Sequence, residues 1–132
     1  METLAPNVTT SFCKMYLKSE NLVFIHLFEY ASIEIPEVDE IHKNINALVD
    51  NKPCYLVVFP AHGSTSSNEA RKYAAKLKEK NVIAEALIID SLAIRLLAAF
   101  FIKVNKPKQK MRIFANLDPA LAWINSIVAK AI

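Results

Sequence analysis

The spacing of apolar positions changes repeatedly along the chain, and each change marks an element. Residues 12–18 alternate in type, with Cys13, Met15 and Leu17 on one side and Phe12, Lys14, Tyr16 and Lys18 on the other. That pattern predicts a half-exposed strand at a sheet edge. After the polar turn Ser19-Glu20-Asn21, residues 22–28 are apolar on both sides, as in a strand covered on both faces, and the pair reads as an antiparallel hairpin.

From Pro36 the period lengthens. Val38, Ile41, Ile45, Leu48 and Val49 recur at three and four residues, behind a first turn with Glu37, Asp39 and Glu40, which predicts an amphipathic helix. Asn51-Lys52-Pro53 ends it, and residues 54–59 form a second doubly buried strand closed by Pro60. Ser66-Ser67-Asn68-Glu69 matches a capping box opening a helix that runs to Lys80. Residues 82–89 are a third buried strand, interrupted only by Glu85.

Asp90-Ser91 caps a helix from Leu92 to about Val104 that is apolar almost all round and reads as buried, with a partner subunit as one source of cover. Residues 105–110 are a polar loop and 111–115 a further strand. Asp118-Pro119 opens a last helix carrying Leu121, Trp123, Ile124, Ile127 and Val128. The order is β-β-α-β-α-β-α-β-α. It predicts one α/β domain over residues 1–132, with a mainly parallel sheet of about five strands, an antiparallel N-terminal edge strand and covering helices.

Composition agrees with one ordered core. A chain of 132 residues, 53% apolar and 22% charged, is long enough to hide about 65–70% of its unfolded surface without metal or disulfide staples. The charge of +3 comes from 16 basic and 13 acidic side chains spread along the chain, whereas nucleic-acid binders gather their excess on one face. Nucleic acid is therefore not an expected partner. Cys13 and Cys54 lie in strands with no CxxC partner and read as buried thiols. No signal-like segment opens the chain and the apolar stretch 92–102 is interrupted by Arg95, well short of the ~20 residues a transmembrane helix needs. A cytoplasmic location is expected, with no transmembrane segment.

Several segments resemble the STAS-like domains related to bacterial anti-sigma-factor antagonists, and more remotely the CRAL-TRIO lipid-transfer domains. They are Ser67-Asn68-Glu69-Ala70-Arg71-Lys72-Tyr73, residues 84–101, Asn105-Lys106-Pro107, and Arg112-Ile113-Phe114 leading to Ala120-Leu121-Ala122-Trp123-Ile124. Together they cover most of the second half, while the first half agrees in element order only. The resemblance implies a domain that acts by binding. In the phosphoregulated antagonists a serine follows an aspartate at the turn into the helix after a central strand; here Pro60-Ala61-His62 precedes Ser64 without an aspartate, so the kinase switch does not carry over. The lipid-transfer relatives hold lipids in a pocket but are longer, with helices this chain lacks.

The chain's one glycine, Gly63, lies in the polar break Ala61-His62-Gly63-Ser64-Thr65-Ser66-Ser67. One glycine cannot build a phosphate loop of the glycine-rich kind. His62, Gly63, Ser64, Thr65, Ser66, Ser67 and Arg71 are nevertheless the candidate ligand or anion site, because a phosphate on a loop serine or a bound anion would meet a helix N-terminus there. A hydrolase using His62 and a loop serine is a further reading, with no GxSxG elbow to support it. His26 reads as a hydrogen-bonded core or interface residue and His42 as a surface one, and three isolated histidines make no metal site. No metal, cofactor or catalytic residue is expected. Lys103, Lys106, Lys108 and Lys110 are the densest basic patch, read as a solvated loop.

The expected function is thus a non-catalytic STAS-like binding or regulatory domain. Its expected partners are a second copy or another protein, with Leu92, Arg95, Leu96 and Phe100 as interface candidates. The alternative is a domain that binds a small apolar or lipid-like ligand.

Overall fold

A computed structural model describes residues 7–77 and 81–131. In chain order its elements are β1 (Asn7–Thr9), β2 (Cys13–Ser19), β3 (Leu22–Leu27), β4 (Ser32–Ile33), α1 (Ile35–Val49), β5 (Cys54–Phe59), β6 (Thr65–Ser66), α2 (Asn68–Lys76), β7 (Val82–Ile88), α3 (Leu92–Asn105), β8 (Lys110–Phe114) and α4 (Leu117–Ala131). Six strands form one sheet in the order β1-β2-β3-β5-β7-β8. The first three are antiparallel to their neighbours in the hairpin, and β3, β5, β7 and β8 run parallel. Strands β4 and β6 form a separate parallel pair. This is the α/β architecture expected, with more strands than the apolar pattern marked.

The doubly apolar runs became central strands because both faces of the sheet are covered. On one face Met15, Val23, Ile25, Cys54, Leu56 and Val58 pack with Val38, Ile45 and Val49 of α1 and Ala70 of α2. On the other Phe24, Tyr55, Val57, Ala84 and Ala86 meet Ala120 and Ile124 of α4. Small residues on β7 let α4 approach the sheet closely, since alanine adds only one methyl beyond the backbone. Val57 lies opposite Ala86 across β5 and β7, and Leu87 opposite Ile113 across β7 and β8, so the crossovers stack three like-directed neighbouring strands.

Four expectations need correction. The strand at 12–18 is not the edge, because Asn7, Val8 and Thr9 add antiparallel to Tyr16, Met15 and Lys14. The cap of α2 is Ser67, whose Oγ accepts from the Ala70 amide at 3.0 Å, and not Ser66, which belongs to β6. Helix α2 ends at Lys76, and residues 78–80 lie outside the described residues. Helix α3 has no fully buried residue: only one side meets the rest of the domain, and Leu92, Leu96 and Phe100 are 58–64% exposed on the other. Among the described residues no helix is long and apolar enough to cross a membrane.

Candidate ligand-binding site

The polar loop after β5 is held by the segment after β3. Tyr30 donates its amide to the His62 carbonyl at 2.9 Å, and the amides of Thr65 and Ser67 donate to the carbonyls of Ala31 and Ile33 at 2.8 and 3.2 Å. The β4–β6 pair continues this zipper. Ser64 closes a turn on Ala61, with its amide at 3.0 Å and its hydroxyl at 2.7 Å from the same carbonyl. Three amides that a bare-backbone anion cradle would use are therefore already engaged.

Gly63 is explained by packing. Its φ of +74° is a conformation that side-chain-bearing residues rarely adopt, and a Cβ there would collide with the Tyr30 ring. The His62 ring meets the same tyrosine edge-on at 5.4 Å between centroids. No loop serine is hydrogen-bonded to His62 among the described residues.

Arg71 reaches back from α2 to the loop, where Nη1 donates to the Ser66 carbonyl and, at 3.2 Å, to its hydroxyl. Its guanidinium lies over the Phe101 ring of α3, 3.6 Å from the centroid. The cation–π contact ties α2 to α3 and holds the guanidinium flat. Its Nε is buried with no partner among the described residues.

Behind this contact the helices stand off the sheet and leave a partly open chamber of about 330 Å³. Its floor is Ile25, Leu56, Val58, Leu87 and Met111 from four neighbouring strands; its roof includes Ile41 and Ile45 of α1, Ala74 and Ala75 of α2, and Ala98, Phe101 and Ile102 of α3. Of the seven candidates from the loop and α2, Ser64, Thr65, Ser66 and Arg71 line it. His62 and Gly63 do not, and Ser67 is occupied as a cap. His42 lines it as well, which corrects its reading as a surface residue: one helical turn after Val38 puts it at the border of the apolar stripe.

One acid stands inside the chamber. Glu85 replaces an apolar residue in the middle of β7, between Leu56 of β5 and Met111 of β8. Gln109 Nε2 donates to its Oε1 at 3.1 Å, and Oε2 has no hydrogen-bond partner among the described residues. Burial raises its pKa above the ordinary carboxylate value, and the Gln109 hydrogen bond only partly offsets this. The residue is half-buried and lines the chamber. The interruption of an otherwise apolar strand was visible in the sequence; the space in front of it was not.

Other candidates serve packing. His26 shares a hydrogen bond of 3.0 Å between Nε2 and Tyr16 Oη and stacks on Phe59 at 4.3 Å, and burial lowers its pKa. Cys13 and Cys54 are buried free thiols, and burial pushes Cys54 up to about 11, which leaves it unreactive. Arg95 folds inward, donating from Nη1 to the Ile89 carbonyl at 2.9 Å. Lys103, Lys106, Lys108 and Lys110 are exposed. No group of three or more metal-ligating side chains converges among the described residues.

Fold and chamber together define an α/β domain whose mostly parallel sheet carries an internal cleft beneath three helices. A family described as a domain of unknown function, DUF7793, matches residues 15–128, and the chain belongs to that family. Comparison with the curated proteins and with the solved structures finds no match.

Proposed function

We propose that this domain acts by binding, without catalysis, and that it holds a small, largely apolar molecule between its sheet and helices α1, α2 and α3. The observation that carries this reading is the chamber of about 330 Å³, with walls of aliphatic side chains and a few polar groups. Small-molecule sites have about 300–1,000 Å³ and this same balance of lining. A dry apolar cavity of about 150 Å³ already takes up benzene. The STAS-like relationship belongs to this reading, because a domain of that kind works as a binding module. The two unbridged thiols Cys13 and Cys54 favour a reducing compartment such as the cytoplasm.

Native mass spectrometry of freshly purified protein, followed by an NMR titration with 1-octanol, tests the reading. A co-purified small molecule, or shifts confined to Ile25, Leu56 and Leu87, would support it. Ala98→Phe, which fills the chamber from α3, should abolish either signal. A protein that arrives empty and takes up no octanol overturns it.

A second observation favours self-association as part of the same function. The outer side of α3 exposes Leu92, Leu96, Leu97, Phe100 and Val104. A contiguous exposed apolar face of this kind is characteristic of interaction surfaces. Arg95 is turned away from it, which leaves the exposed Lys103 in the last turn as the charge on this side of α3. A second copy of the same helix is the occupant that matches it.

A further inference from the structure

Glu85 has a place in the fold that structural economy does not explain. It stands on β7, where Leu87 also faces the chamber, with Ile89 just past the strand's end, and its flanking partners across the sheet are Leu56 and Met111. Placing a carboxyl there strips part of its water and returns one hydrogen bond, from the neutral amide of Gln109. A leucine would fit the surroundings without that loss. The other oxygen, Oε2, has no hydrogen-bond partner and no paired cation among the described residues, and the residue is part-exposed and lines the chamber. Among the described residues the other charged or titratable groups in the walls are His42 of α1 and Arg71 of α2, and the Arg71 guanidinium is committed to Ser66 and Phe101.

We infer that the chamber selects ligands bearing an amine on an apolar body, with the ammonium group seated on Glu85 and the hydrocarbon against Ile25, Leu56, Leu87 and Phe101. This rests on the reading of the chamber as a ligand site. An ammonium supplies both things the carboxyl lacks, a countercharge and donors for Oε2. A hydroxyl of the same size supplies a donor alone. A carboxylate brings like charge against Glu85 and is disfavoured. The sheet holds the acid on a rigid element, so its position is set before the ligand arrives.

Isothermal titration calorimetry at neutral pH with n-octylamine, 1-octanol and octanoate, on wild-type protein and on Glu85→Gln, tests the assignment. Octylamine should bind the wild type about tenfold or more tighter than octanol, with octanoate weakest. Glu85→Gln, which keeps the size and the Gln109 contact, should erase the amine's advantage while leaving octanol within about twofold. If octanol binds but octylamine binds no tighter, or if Glu85→Gln leaves octylamine unchanged, the amine assignment falls and the chamber reading stands. If none of the three binds, the chamber reading falls and takes the assignment with it. Should Glu85→Gln fail to fold, the wild-type ranking alone still tests the amine preference.

Discussion

Gln109 Nε2 lies 3.1 Å from Glu85 Oε1, a neutral donor facing an enclosed acid. The contact binds the loop before β8 to the middle of β7, and it also shows how incompletely the carboxyl is compensated. Burial raises the folded-state pKa of Glu85 above its ordinary value near 4.5. The folded protein therefore holds this proton at pH values where the unfolded chain has released it, and the stabilising contribution is complete below the ordinary value. It is lost as pH rises through the raised one. Glu85→Gln should remove this dependence and raise stability at neutral pH by on the order of 1 kcal/mol, the cost of one poorly partnered buried polar group. Urea unfolding across pH checks it: a variant that is less stable than wild type at neutral pH contradicts the expectation.

Gly63 and Tyr30 make a second coupled pair. Alanine at position 63 must adopt φ near +74° and displace a ring whose backbone is tied to the His62 carbonyl. Gly63→Ala should cost about 1–2 kcal/mol. Tyr30→Ala should recover part of that loss and leave the backbone part, because the strain in φ persists. A double-mutant cycle that shows no coupling would mean the ring moves aside freely.

The cap of α2 separates two adjacent serines. Ser67→Ala removes the acceptor for the Ala70 amide and should cost about 0.5–2 kcal/mol. Ser66→Ala leaves that cap in place and keeps the carbonyl that Arg71 uses, so its effect on stability should be the smaller of the two. Thermal unfolding of both variants ranks them directly.

Much of the fold was legible because burial on two faces leaves a strong trace. Runs such as Cys54 to Phe59 can only be strands covered on both sides, and the helical spacing of Val38, Ile41 and Ile45 marks α1. Strand β1 left no such trace: three residues pairing through their backbone need no apolar pattern. The β4–β6 pair was hidden for the same reason. At the candidate site, residue type alone misled. Gly63 suggested open backbone for a ligand, yet the Tyr30 ring explains it. Ser64 and Ser66 do face the chamber, but the chamber itself arises from how far α1, α2 and α3 stand from the sheet, a distance that no local spacing encodes. The lone acid Glu85 in a doubly covered strand was the readable signal, because such a position accepts a charge only at a cost.

Helix α3 offers a test of assembly that leaves the core intact. Its inner side carries Ala98, Phe101 and Ile102 toward the chamber, while Leu92, Leu96 and Phe100 point away and are more than half exposed. Charges placed on the outer side therefore meet water in a monomer and a neighbour's hydrocarbon in a dimer. Leu96→Glu with Phe100→Glu should convert a dimer to a monomer in sedimentation equilibrium. The same pair should change the unfolding free energy of the isolated protomer by no more than about 0.5 kcal/mol per site, as for ordinary surface substitutions. Wild-type protein that stays monomeric at every concentration would remove the dimer. A dimer that survives both glutamates would move its interface off α3, since two buried carboxylates facing their symmetry mates cannot be accommodated without losing the association.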